Sequence, residues 1–262
     1  MKMDELSIQL KKSRINDIPF ICCTNGEPGK KKLVVLYHSY LDSKEFMLNF
    51  AYRLAEMGFL AVAVDLDRHG ERDNYVVGKF PWKEFYNTVF KTAQEITTVI
   101  NYFVEKEEVE NGNITVLGTS MGGLTAFAAS IVDERVNNIA SIMASANYPQ
   151  LARVKETSTL RRFFSDNIYC KDEFIKNVEK KSEIFDPYYN ISMMPPKRIF
   201  MINGTVDMAI PIKIVEDFQE KLISEYKDKR SNLKFISIPG GGHLLSREMY
   251  EETLIWVKGL LD

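Results

Sequence analysis

The amino-acid sequence predicts a mostly parallel, doubly wound α/β sheet, and two observations carry that expectation. Short, near-continuous apolar runs recur along the chain, as strands do when helices cover both faces of their sheet. Between them lie longer segments whose apolar residues return every three or four positions, the spacing of one helical face. Strands that alternate with helices build a sheet of this class. The chain has 262 residues, 45% of them hydrophobic, enough for a real core, and residues 1–262 read as a single domain.

The first expected strands are Phe20–Thr24 (FICCT) and Leu33–His38 (LVVLYH), with the turn sequence NGEPGK between them, so they read as an N-terminal antiparallel hairpin. Ser43 is placed to cap a helix in which Phe46, Phe50, Leu54 and Met57 recur, and Gly58 ends it. Phe59–Leu66 is the next strand, and Trp82–Glu107 is long and mostly helical. Strand Ile114–Gly118 leads straight into helix Ser120–Ile131. Ile139–Ser145, Arg198–Asn203 and Leu233–Ile238 complete the strands. Helix Pro211–Tyr226 carries its proline at the first turn, and helix Ser246–Leu261 follows the last strand.

One segment breaks the alternation. Residues 148–196 contain no convincing strand, only charged and aromatic helical sequence too long for a loop in a compact domain, which marks a small helical insertion or cap. Its aromatics (Tyr148, Phe163, Phe164, Tyr169, Phe174, Tyr188, Tyr189) read mainly as packing onto the body, and Arg161 and Arg162 as solvated surface.

Composition excludes several function classes. A net charge of -2 argues against a nucleic-acid binder, which needs a basic face to neutralise phosphates. No apolar run approaches the roughly 20 residues that span a bilayer, so no membrane association is expected. The N-terminal MKMDELSIQLKK has charges where a signal peptide needs an apolar core. Cys22 and Cys23 are adjacent and point to opposite faces of a strand, and Cys170 stands alone, a pattern suited to a reducing compartment. A cytoplasmic protein is expected. The oligomeric state stays open.

In an open α/β sheet, chemistry gathers at the carboxyl ends of the strands. After Ile114–Gly118 comes Gly118-Thr119-Ser120-Met121-Gly122, which fits G-x-S-x-G, the turn that lifts a serine nucleophile clear of the backbone. Neither the Walker phosphate loop nor the dinucleotide fingerprint matches these glycines, and the scattered histidines and adjacent cysteines lack metal-ligand spacing, so no cofactor and no metal are expected. A serine hydroxyl needs a base to take its proton. His38, His69 and His243 all follow strands, but in hydrolases built on this turn the order is serine, acid, histidine. Only His243 lies downstream of both Ser120 and Asp207. The loop ANYPQ after Ser145 has no carboxylate, which leaves Asp207 as the acid. The oxyanion donors expected are the backbone N–H groups of Met121 and of Tyr40, in the loop after the strand Leu33–His38.

GTSMGG, NGTVDMAIP, GGGH and LYHSYLDSKE together resemble the α/β-hydrolase superfamily, and within it small bacterial esterases of the prolyl-oligopeptidase-like and dienelactone-hydrolase-like branch. The resemblance covers nearly the whole chain. Members often read His-Gly-aromatic where this chain has His38-Ser39-Tyr40. DLDRHGERD resembles the family's Asp-x-x-x-His-Gly loop, which makes His69 and Arg72 candidates for lining the substrate site, and His38, at the end of its strand, is a further candidate. Dienelactone hydrolases proper use cysteine, so that activity is not implied by Ser120. The expectation is a serine hydrolase that cleaves small-molecule carboxylic esters through an acyl-enzyme. A peptidase, thioesterase or acyltransferase of the same fold is the alternative chemistry, and an inert ligand-binding protein on a hydrolase fold is the non-enzyme alternative.

Overall fold

The computed structural model describes residues 7–72, 84–110, 112–154 and 172–261. Its strands are β1 (Gln9–Ile15), β2 (Ile18–Thr24), β3 (Leu33–Tyr37), β4 (Leu60–Val64), β5 (Ile114–Thr119), β6 (Val136–Ile142), β7 (Arg198–Gly204) and β8 (Leu233–Ile238). Its helices are α1 (Leu48–Glu56), α2 (Phe85–Gln94), α3 (Ile96–Glu105), α4 (Met121–Val132), α5 (Tyr148–Val154), α6 (Asp172–Phe185), α7 (Ile212–Tyr226) and α8 (Arg247–Lys258). The strands form one sheet in the order β1-β2-β4-β3-β5-β6-β7-β8. All neighbours from β4 across to β8 are parallel, while β2 runs antiparallel to both β1 and β4.

Side chains alternate sides along a strand, so a sheet buried on both faces needs two apolar layers. Val34 and Leu36 join Phe50 and Leu54 of α1 and Val257 of α8 in one cluster. Leu33, Val35 and Tyr37 join Phe90, Phe103, Phe127 and Phe218, from α2, α3, α4 and α7, in the other. Cys22 packs against the second layer and Cys23 sits in the first, on opposite faces as adjacent strand residues must. The chain leaves β3 in one direction and returns as β5 on its other side. A crevice opens at such a reversal, beyond the carboxyl ends of the two strands.

The antiparallel hairpin is present, but its members differ from those expected. It is β1 with β2, closed by Asn16-Asp17 between the paired Ile15 and Ile18, with Asn16 at φ 54°. Left-handed asparagine is what a two-residue hairpin turn favours. β4 lies between β2 and β3, so the NGEPGK segment does not close a hairpin. β1 gives no apolar run because it is an edge strand, mostly exposed, with Lys11, Lys12 and Arg14 along it.

Three helix boundaries also move. Ser43 precedes a short 3₁₀ turn (Lys44–Met47) and spends its hydroxyl on Glu45 at 2.7 Å instead of capping α1. The long helical stretch is broken at Glu95 into α2 and α3, and its beginning, including Trp82, lies outside the described residues. Pro211 stands at the cap of α7 with φ -57° and ψ 133°, one residue before the helix.

Within 148–196 the described residues form α5, α6 and a 3₁₀ turn (Ile191–Met193), with no strand among them. Arg161, Arg162, Phe163, Phe164, Tyr169 and Cys170 lie outside the described residues. Tyr148 is buried and its hydroxyl donates to the Leu124 carbonyl at 2.8 Å, while the Phe174 ring sits 6.3 Å from that of Tyr86. Asp186 joins the two helices. Its buried carboxylate accepts the N–H groups of Asn147 (3.1 Å), Tyr148 (2.6 Å) and Tyr188 (3.0 Å). Burial pushes its pKa up against the pull of those donors, to about 6. A carboxyl whose folded pKa is raised contributes fully below its unfolded pKa and loses that contribution as pH rises through the folded one. Asp186→Ala is expected to lower the urea midpoint, by roughly 1–3 kcal/mol for each backbone donor left unpaired. The gap to wild type should narrow between about pH 4 and pH 7.

Candidate active site

β5 ends at Thr119 and α4 begins at Met121, so a single residue must reverse the chain. That residue is Ser120, at φ 52° and ψ -116°, outside the regions an L-residue ordinarily occupies. Its N–H donates to the Ile142 carbonyl at 2.9 Å, and its carbonyl accepts from Gly123 (2.9 Å) and Leu124 (3.1 Å). So sharp a turn drives the start of α4 against β3 and β5. A Cβ on Gly118 would run into the Gly122 carbonyl, and one on Gly122 into the carbonyl groups of Tyr37 and His38. Backbone atoms cannot rotate aside. Gly122→Ala is therefore expected to cost at least the upper end of the roughly 1–3 kcal/mol typical of overpacking. Gly242→Ala, with nothing within 4 Å of the new Cβ, should move the urea midpoint little.

Asp207 lies in the turn after β7, its side chain 0% exposed. Oδ1 accepts the N–H groups of Ala209 (2.8 Å) and Ile210 (2.9 Å), which folds the turn, and Oδ2 accepts Nδ1–H of His243 at 2.7 Å. One carboxylate thus shapes its own loop and holds a histidine from another. The two loops are tied directly as well, Val206 N–H to the Gly241 carbonyl at 3.0 Å and Gly240 N–H to Thr205 Oγ1 at 2.9 Å. With its Nδ1 proton engaged, His243 presents Nε2 as an acceptor, and Ser120 Oγ–H donates to it at 2.8 Å. Three side chains from the ends of β5, β7 and β8 form one continuous line of hydrogen bonds.

Met121 is the first residue of α4, where a backbone N–H has no carbonyl one turn back to bond. Tyr40 lies on the wall of the same cavity as Ser120. Ser39 bonds through Oγ to Thr119 Oγ1 at 2.9 Å and so fastens the loop after β3 to the residue before Ser120.

The three residues expected to line the site are placed elsewhere. His38 is 0% exposed, and Nε2 accepts the Leu66 N–H (3.1 Å) while Nδ1–H donates to the Ser39 carbonyl (2.7 Å). Burial, the main cause, lowers its pKa to about 3, so this imidazole is a neutral brace between two loops. His69 is buried behind Tyr40, ring centroids 6.0 Å apart, with Nδ1 on the Asp67 carbonyl at 2.9 Å. Arg72 turns its guanidinium onto both oxygens of Glu95, at 2.8 and 2.7 Å, and lines a different, polar depression with Arg14 and Lys91. The Asp65-to-Gly70 loop is held by Asp65, which accepts the N–H and Nζ of buried Lys44 at 2.9 and 2.8 Å. That loop is scaffold.

Ser120 and His243 open onto a cavity of 520 Å³ walled mainly by apolar side chains, among them Tyr40, Phe85, Tyr86, Leu124, Leu151 and Leu245. Sequence reasoning missed most of this wall. Leu124 stands one helical turn after Ser120, and Leu244 and Leu245 follow His243, so chain proximity could have flagged them. Phe85, Tyr86 and Leu151 carry no such signal, because only the packing of α2 and α5 brings them there. Among the described residues, no three His, Cys, Asp or Glu side chains converge as metal ligands, and no helix is long and apolar enough to cross a membrane.

Residues 28–168, more than half of the 262, match the family model for the serine aminopeptidases, S33. The chain belongs to that family. The matched segment of this S33 member includes the Ser120 turn and stops before Asp207 and His243, which join it only through the geometry above. Putative esterase YitV of Bacillus subtilis is 25% identical, with 97% of this chain and 100% of its own covered. Esterase YjfP of Escherichia coli is 22% identical, with 96% and 98% covered. Among solved structures, TT1662 from Thermus thermophilus shares the fold at a TM-score of 0.76 and 18% identity, covering 98% of this chain and 99% of that one. The fold of the S33 member is therefore that of the α/β hydrolases, with an antiparallel N-terminal hairpin on a mostly parallel sheet.

Proposed function

We propose that the protein is a serine hydrolase of carboxylic esters that works through an acyl-enzyme. The observation that carries this reading is the hydrogen-bonded line from Ser120 through His243 to Asp207, opening onto an apolar cavity. His243 takes the Ser120 proton through Nε2 as Oγ attacks the ester carbonyl, while Asp207 steadies the imidazolium that forms. The backbone N–H groups of Met121 and Tyr40 bind the developing oxyanion. His243 then returns the proton to the departing alcohol, and a water activated by the same Nε2 releases the acid. The largely apolar cavity suits an ester with a hydrophobic part, and the relatives named esterases support ester over peptide cleavage.

A panel of p-nitrophenyl esters, peptide p-nitroanilides and thioesters, run on wild type and Ser120→Ala, tests the reading. Ester turnover that requires Ser120 is expected. Preferred turnover of peptides or thioesters would replace the substrate class. Failure of Ser120 to label with a fluorophosphonate would leave a ligand-binding protein in its place.

A further inference from the structure

We propose that Asp42 determines substrate specificity, selecting esters that carry a hydrogen-bond donor on an otherwise apolar body. The inference rests on the esterase reading and deepens it. The cavity in front of Ser120 is walled mainly by aromatic and aliphatic side chains. Among the described residues that line it, Asp42 is the only carboxylate, and there is no lysine or arginine. Asp42 sits in the loop after β3, its N–H donating to the Ser39 carbonyl at 3.2 Å, so its backbone is fixed by the loop that carries Tyr40. Its carboxylate is half-buried and, among the described residues, has neither a hydrogen bond nor an ion pair, whereas its neighbours are fully engaged. Ser43 bonds Glu45, Glu45 bonds Lys12, and Lys44 is committed to Asp65 and Glu71. Burial without a compensating partner raises the Asp42 pKa.

A half-buried carboxylate that the protein leaves unpaired is costly, and a substrate group able to donate to it recovers that cost on binding. A methyl group in its place recovers nothing. A substrate carboxylate meets like charge at reduced dielectric and is rejected. The selected group is therefore a hydroxyl or an ammonium, on the acyl or on the alcohol side of the ester. Hydrogen bonds to a charged group are worth about 1.5–3 kcal/mol, so a preference of at least ten-fold in kcat/KM is expected.

The test uses two ladders of esters from butyl to octyl, one varied in the acyl chain as methyl esters and one in the alcohol as acetates. Each chain ends in methyl, hydroxyl, ammonium or carboxylate, and hydrolysis is followed by pH-stat on wild type, Asp42→Asn and Asp42→Leu. At some chain length in one ladder, wild type should favour a donor end over methyl by ten-fold or more and disfavour carboxylate. In Asp42→Leu the ratio should fall to about one. Asp42→Asn, which keeps the shape and an acceptor, should lose the ammonium preference and retain part of the hydroxyl preference, which distinguishes the two donors. Ratios that are flat in wild type, or unchanged in both variants, overturn the inference while leaving the esterase reading intact. No Ser120-dependent turnover of any member overturns the esterase reading, and this inference with it.

Discussion

Replacing Ser120 by alanine is expected to reduce kcat for p-nitrophenyl acetate by on the order of 10⁶-fold, the loss typical when the nucleophile of a coupled triad is removed. The fold should survive, because the Ser120 hydroxyl makes one hydrogen bond, to a histidine that is 30% exposed and can turn to water. The backbone offers a second readout. Ser120 is held at φ 52° and ψ -116°, a conformation that costs a non-glycine residue roughly 1–3 kcal/mol. Glycine relieves that strain at an extra chain-entropy cost of roughly 0.4–1 kcal/mol. Ser120→Gly should therefore be as inactive as Ser120→Ala but more stable, by urea denaturation. Turnover retained in either purified variant would remove Ser120 from the reaction, and an alanine variant more stable than the glycine one would contradict the strain.

How much of this was legible in the sequence follows from where each residue sits. Ser120, Asp207 and His243 each come just after an apolar strand, and strands covered on both faces announce themselves, so the parallel part of the sheet and the three residues at its rim could be read together. β1 could not, since an edge strand hides its pairing under lysines and arginine. His38 and His69 follow strands just as His243 does. What separates them is tertiary: backbone groups of two loops take both nitrogens of His38, and burial keeps it neutral. The cavity wall was the least legible part, because Phe85 and Tyr86 look like any apolar helix face until α2 is docked. Asp42 lies in an ordinary loop sequence, and its interest comes from the partners it lacks.

Asp207→Asn is expected to lower kcat by about 10⁴-fold while the protein stays folded. The amide is the same size as the carboxylate, and its orientation is decided by the loop. Ala209 and Ile210 both donate to Oδ1, and only the amide oxygen can accept from them, so the NH₂ must take the place of Oδ2. There it meets His243 Nδ1, which has been a donor to Asp207 at 2.7 Å. Two donors cannot share that contact, so the imidazole hydrogen moves to Nε2, which faces Ser120 Oγ. A base whose acceptor nitrogen already carries a hydrogen cannot take the serine proton. Asp207→Ala would strand the two loop donors as well and mix lost stability with lost chemistry, which makes asparagine the informative change. Imidazole ¹⁵N shifts should report the tautomer reversed in Asp207→Asn. A loss of less than about ten-fold, or an unchanged tautomer, would mean that Asp207 only builds its turn and that Ser120 and His243 react without its help.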